Sequence, residues 1–150
     1  MRSWRRYRVA SGTWLIDTSA YVRLARRVVV DQYVWHERIG RGLVRLLAVT
    51  RLEIGPNARN GAMRQSLFQV PPLSLMPLEF LTPEIEERAD EVQTLLADRW
   101  QHRGGPGLHE LLVAAAAEKL RLTVVHDDND FETIARITGQ AVERISVTGQ

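Results

Sequence analysis

Thr13-Trp14-Leu15-Ile16-Asp17-Thr18-Ser19-Ala20-Tyr21 is the stretch on which the fold turns. Its first four residues predict a short strand, and they stop at Asp-Thr-Ser, residues whose side-chain oxygens cap helices well. Ala20, Tyr21, Leu24 and Ala25 then recur at the spacing of one helix face. A strand that passes at once into a helix is the repeating unit of a parallel α/β sheet.

Outward from this stretch the same alternation recurs. The pattern predicts a helix over Val28 to Ile39, stopped by Gly40-Arg41-Gly42, and a second apolar strand from Leu43 to Val49. Thr50-Arg51-Leu52-Glu53-Ile54 opens another helix, which Gly55-Pro56 cuts short. Met63 to Val70 reads as a short helix, and the proline-rich stretch from Pro71 to Leu78 suits only an edge strand. Thr82-Pro83-Glu84 starts a helix with a capping oxygen, a first-turn proline and acids at the positive dipole end. Ile85, Ala89, Val92, Leu95 and Leu96 give that helix an apolar stripe to about Arg99. After a Gly-Pro loop over Gln101 to Gly107, a helix from Leu108 to Leu120, a strand from Leu122 to Val125, a helix from Phe131 to Thr138 and a strand from Ala141 to Ile145 follow. The expected fold is an α/β sandwich with helices on both faces of a parallel sheet.

The chain has 150 residues and no cysteine, so it has the size of a single domain and nothing covalent staples it. No apolar run approaches the roughly 20 residues of a membrane span, and no signal-like segment is present, which fits the cytoplasm. Four of the 20 basic side chains, Arg2, Arg5, Arg6 and Arg8, fall in the first eight residues. The other 16 stand against 18 acids, so the basic character belongs to the N-terminal tail (1–12), expected to be flexible, and not to the domain at 13–150. Such a tail suits contact with phosphates or serves as a loose start.

In open parallel sheets ligands bind beyond the carboxyl ends of the strands, so acids placed there are the ones to examine. Asp17 follows the first strand, and Glu53 lies one turn into the helix after the second. Asp127, Asp128 and Asp130 follow Thr123-Val124-Val125-His126, and Glu110 sits in the first turn of the helix entered from the Gly-Pro loop. On one rim these carboxylates would repel one another unless a cation joined them, and hard oxygen donors suit Mg²⁺ or Mn²⁺. Each acid also has an ordinary reading as a helix cap, a dipole partner or a solvated side chain. Only their joint placement favours a site.

The segments Trp14 to Tyr21, Thr50 to Gly55, Pro106 to Ala115 and His126 to Phe131 resemble, in order and spacing, the PIN-domain nucleases. The likeness is greatest to the VapC toxins of bacterial toxin–antitoxin pairs. The resemblance implies a three-layer α/β/α sandwich around a five-stranded, mainly parallel sheet, and a metal-dependent endoribonuclease cleaving RNA. It also implies a VapB-type antitoxin as partner and a homodimer. The family's four acids map to Asp17, Glu53, Glu110 and Asp128. Asp17, Glu110 and Asp128 would hold Mg²⁺ or Mn²⁺, while Thr18, Ser19 and Asp130 would support the ligands or meet substrate. One departure stands out: the third acid is typically Asp in a Pro-Ser-x-x-Asp setting, whereas here Glu110 follows Pro106-Gly107. The extra methylene lengthens its reach, and a site with relaxed geometry suits Mn²⁺ better than Mg²⁺. A protein that keeps the fold and binds RNA and antitoxin without cleaving is the alternative this departure raises.

His126 is expected to pack behind the site. His102, Arg103 and His109 flank it and suit either RNA contact or plain exposure. The Gly-rich loop lacks the Gly-Lys-Ser/Thr of a P-loop, and Thr133 stands where a calcium loop needs glycine. A receiver domain needs a second acid near the first strand and a lysine after the last, and has neither here. Surplus apolar groups near Tyr21, Val28 and Tyr33 suggest a face for a partner helix.

Overall fold

The structure, a computed structural model, describes residues 12–100 and 105–149. The basic tail and the flanking residues His102 and Arg103 lie outside them. Five strands form one sheet: β1 (Trp14–Ile16), β2 (Val44–Leu47), β3 (Leu78–Glu79), β4 (Thr123–His126) and β5 (Val142–Arg144). Their order is β3-β2-β1-β4-β5, and every neighbouring pair is parallel. Crossing between them are α1 (Thr18–Ala25), α2 (Gln32–Gly40), α3 (Thr50–Ile54), α4 (Gly61–Gln69), α5 (Pro83–Trp100), α6 (Leu108–Leu120) and α7 (Asn129–Thr138).

The alternation of β1 sorts the two cores. Leu15 points into a layer built with Ile85, Val92, Leu111, Val113, Phe131 and Ile134 from α5, α6 and α7. Trp14 and Ile16 point the other way, onto Ala20, Leu24, Trp35, Ile39 and Ile54 from α1, α2 and α3. Period-2 side-chain direction thus turns one apolar strand into the floor of two helical layers. Leu15 and Ile16 are both fully buried, so truncating either to Ala should cost about 2–5 kcal/mol.

Local chemistry sets most element ends. Thr82 Oγ1 accepts from Ile85 N at 3.3 Å to open α5, and Asn60 Oδ1 accepts from Met63 N at 2.9 Å to open α4. Gly139 closes α7 in the left-handed region, φ 71°, the usual place for glycine at a helix C-terminus. Proline-rich residues 71–78 yield a 3-10 turn (Leu73–Leu75) and then the edge strand β3, as expected.

The helix expected over Val28 to Ile39 begins only at Gln32. Val29 pairs antiparallel with Val147, Val30 N donates to Ser146 O at 2.9 Å, and Thr148 N donates to Val28 O at 2.7 Å. Three consecutive β-branched valines favour this extended contact over a helical turn. Of the apolar groups expected to face a partner, Tyr21 packs against the core and Val28 is half-buried, while Tyr33 is 74% exposed; Val30, outside that expectation, is 63% exposed. Among the described residues no helix is long and apolar enough to cross a membrane.

Candidate metal centre

Among the described residues the buried polar side chains are Asp17, Thr50 and His126. All three stand at the carboxyl ends of the central strands β1, β2 and β4. Burying polar groups is costly, so their gathering at one rim makes that rim the place to examine for a site.

Asp17 ends β1 and caps α1. Its Oδ2 accepts from Ser19 N at 2.9 Å and from Ser19 Oγ at 2.5 Å. Ser19 Oγ in turn accepts from Asp127 N at 2.9 Å, tying the end of β1 to the end of β4. Capping therefore explains one carboxylate oxygen of Asp17 and not the other. Oδ1 is buried and without a hydrogen-bond partner. A buried anionic oxygen in that state is stabilised by positive charge, which a bound metal ion or a protonated His109 ring, 3.6 Å away, would supply.

Glu110, Asp128 and Asp130 each offer a carboxylate oxygen, and the three oxygens lie within 4.8 Å of one another. Asp128 caps α7, its Oδ1 accepting from Asp130 N at 2.9 Å. Burial pushes the Glu110 carboxyl above the ordinary carboxylate range; the charges of Asp128 and Asp17 add to this, against a hydrogen bond from its own backbone N–H. Burial also raises Asp130, with Asp128 adding its charge. Crowded acids that resist ionisation are the electrostatic signature of a missing positive charge.

Gly107 belongs to the same arrangement. It holds the N-cap position of α6 at φ −80°, a backbone any residue adopts, and it makes no side-chain cap. A Cβ there would lie 3.0 Å from Glu110 Oε2. The missing side chain leaves room for the Glu110 carboxylate.

Asp127 behaves differently. Arg23 Nε donates to its Oδ2 at 2.8 Å, and Arg144 Nη1 to its Oδ1 at 3.1 Å. Burial alone would raise this carboxyl, but the two guanidiniums outweigh it and hold it below the usual range. It is a structural tie and not a candidate ligand.

Glu53 meets the site through Thr18, whose Oγ1 donates to Glu53 Oε1 at 2.8 Å. His109, read from sequence as a flanking residue, turns inward with its side chain 12% exposed. Its Nε2 lies 3.6 Å from Asp17 Oδ1, 3.5 Å from Glu53 Oε1 and 3.4 Å from Thr50 Oγ1. Nothing local in the sequence signals that direction. His126 is fully buried against Phe131, with ring centroids 5.2 Å apart. Its Nδ1 accepts from Asp128 N at 3.1 Å, which places the proton of the neutral ring on Nε2, facing Glu132. Burial lowers its pKa, so the neutral form holds and the imidazole orients the Asp128 turn.

The donor set is all oxygen with one imidazole at its margin, which fits a hard divalent cation. No family model matches the chain. It is 55% identical over 133 residues to Ribonuclease VapC2 of Mycobacterium tuberculosis, covering 89% of this chain and 92% of the relative. It is 38% identical over 136 residues to Ribonuclease VapC51 of the same species, covering 91% and 95%. Among solved structures, VapBC2 of Rickettsia felis bound to a promoter DNA fragment matches with a TM-score of 0.68 at 16% identity, over 88% of this chain and 98% of that one. VapBC-5 of Mycobacterium tuberculosis matches at 0.56 and 24% identity, over 91% and 99%. The last two likenesses show the fold. The first two, at this identity over nearly the whole length, show that the chain belongs to the VapC ribonucleases, toxins of the PIN-domain fold.

Proposed function

We propose that this chain is a divalent-metal-dependent endoribonuclease, the toxin of a toxin–antitoxin pair, which hydrolyses RNA phosphodiester bonds until a VapB-type antitoxin restrains it. The observation that carries the metal assignment is the uncompensated cluster of Glu110, Asp128 and Asp130 beside the orphaned oxygen of Asp17. Asp17, Glu110 and Asp128 would hold Mg²⁺ or Mn²⁺, with Asp130 at the margin. Such an ion, when bound, lowers the pKa of its water and offsets charge on the phosphate under attack.

The chain's own residues supply the rest. Ser19 holds one Asp17 oxygen so that the other faces the site. Asp128 keeps its direction through the His126 acceptor and the cap it forms on α7. Thr18 holds Glu53 at the edge of the acid cluster, in place to orient a water or a ribose hydroxyl. Glu110 reaches the Asp128–Asp130 pair despite its length, which supports cleavage over a silent binding module. The exposed Val30 and Tyr33 side chains are candidates for contact with the antitoxin or with a second copy of the chain, in a cytoplasmic setting.

The test is induction of the wild type beside Asp17→Asn in a bacterial host, with sequencing of new RNA 5′ ends. New ends in the wild type alone support the reading. The same ends in both overturn the site, and none in either, at any divalent metal supplied to the purified protein, overturns the nuclease.

A further inference from the structure

A second site of opposite sign lies on α3 and α4. The Arg51 guanidinium stands 4.3 Å from the centre of the Phe68 ring, and that of Arg64 stands 4.9 Å from the same ring. Among the described residues no carboxylate pairs with either. Arg51 Nε is buried and has no hydrogen-bond acceptor. Two cations sharing one ring repel each other, and a buried guanidinium N–H without an acceptor is costly.

The packing nevertheless keeps them together. Gly55 has ordinary helical φ, −61°, so its backbone does not require glycine. A Cβ there would lie 2.6 Å from Arg64 Nε, and its absence gives that side chain its place. Arg51 and Phe68 also line a cavity of about 200 Å³ with an apolar floor of Leu46, Leu73 and Met76, and Ser74 adds a hydroxyl. That volume is below the range that engulfs a drug-sized ligand and suits one unit of a longer chain.

We infer that Arg51, Arg64 and Phe68 form an anion subsite for one nucleotide unit of single-stranded RNA, with the phosphate on the guanidiniums and the base toward the apolar floor. Planar guanidiniums favour phosphate through paired N–H donors, and aromatic and guanidinium faces accept unstacked bases. Arg51 shares α3 with Glu53, while Arg64 and Phe68 stand on α4, so an RNA strand that meets both sites has to cross α3. This assignment rests on the ribonuclease reading for its choice of ligand.

The test is fluorescence anisotropy of a labelled single-stranded RNA on the Asp17→Asn protein, across a series of KCl concentrations. Adding Arg51→Ala or Arg64→Ala should weaken binding about 3- to 10-fold and lower the salt slope by about 0.7 for each phosphate contact removed. Arg51→Lys keeps the charge and should keep the slope while losing affinity, which separates phosphate binding from misfolding. Mn²⁺ affinity by calorimetry, measured for each arginine variant in a chain that keeps Asp17, should not move in any of the three. An unchanged slope with both alanine variants overturns the subsite. Unchanged RNA binding with weakened capture of an acidic peptide also overturns it and gives the cavity to a protein partner. A reduced slope in a protein whose wild type never cleaves RNA supports the subsite and fails the nuclease reading instead.

Discussion

Asp127 and Asp128 are neighbours in the chain and opposites in electrostatics. The turn after β4 sends Asp127 toward Arg23 of α1 and Arg144 of β5, where both of its oxygens are matched by guanidinium donors. It sends Asp128 toward Glu110 and Asp130, where oxygens meet oxygens. One half of the turn is neutralised and ties three elements together. The other is left short of positive charge. An acid at a strand end therefore does not define a metal site, whereas an acid whose neighbours are other acids either keeps its proton or draws in a cation.

The largest effect should come from the unmatched half. Asp17→Asn should reduce RNA cleavage by about 100-fold or more, since it removes a charge from the ion's surroundings. Its melting temperature should hold or rise, because the same change relieves repulsion. Cleavage assays at matched Mn²⁺ with thermal denaturation check both parts, and a collapse in stability would show Asp17 to be chiefly a cap.

Changing the two neighbours one at a time sharpens the contrast. Asp128→Asn should weaken Mn²⁺ binding by about 10- to 100-fold in calorimetry, with little loss of stability without metal. Asp127→Asn should leave Mn²⁺ binding in place and cost about 1–2 kcal/mol, because Arg23 is partly exposed and water makes up part of the loss. On a chain of this size that is a fall of several degrees in Tm. Equal metal affinities in the two variants would erase the distinction.

A smaller effect follows from pH. Glu110 and Asp130 have raised folded-state values, so the folded chain holds their protons more tightly than the unfolded chain does. Their contribution is most favourable below the ordinary carboxylate range and is lost as pH rises from there through the raised values. Asp127 has the opposite sign: its contribution is present above the ordinary range and is lost as pH falls through its depressed value. Without metal, Glu110→Gln should therefore gain stability over the wild type at neutral pH and lose that gain on acidification toward about pH 4. Saturating Mn²⁺ should abolish the difference at neutral pH by stabilising the wild type. Denaturation midpoints across pH, with and without Mn²⁺, measure this directly.

The smallest effect should be the coupling between Gly107 and Glu110. Gly107→Ala crowds Glu110 Oε2 and should lower Mn²⁺ affinity by a few-fold in the wild type. In the Glu110→Asp background, with its shorter arm, it should do nothing. A double-mutant cycle should return a coupling of about 0.5–1 kcal/mol, and additivity would mean that the glycine has no part in placing the acid.

The sequence by itself determined the order of strands and helices, because apolar period and capping residues act within a few positions of one another. Asp17, Thr82 and Asn60 each mark a helix start by a contact two or three residues away. The candidate acids were legible for the same reason: each follows a strand or opens a helix. Only the tertiary structure decided which acids share a site and which are neutralised. Arg23 lies 104 residues from Asp127, and His109 lies 59 from Thr50, so nothing in the local pattern couples them. It also converted Val28-Val29-Val30 from helix to an extended contact, through a partner at Val147 that only folding brings near. Short-range preference chooses the element, while charge balance and long-range pairing are settled by what the sheet sets side by side.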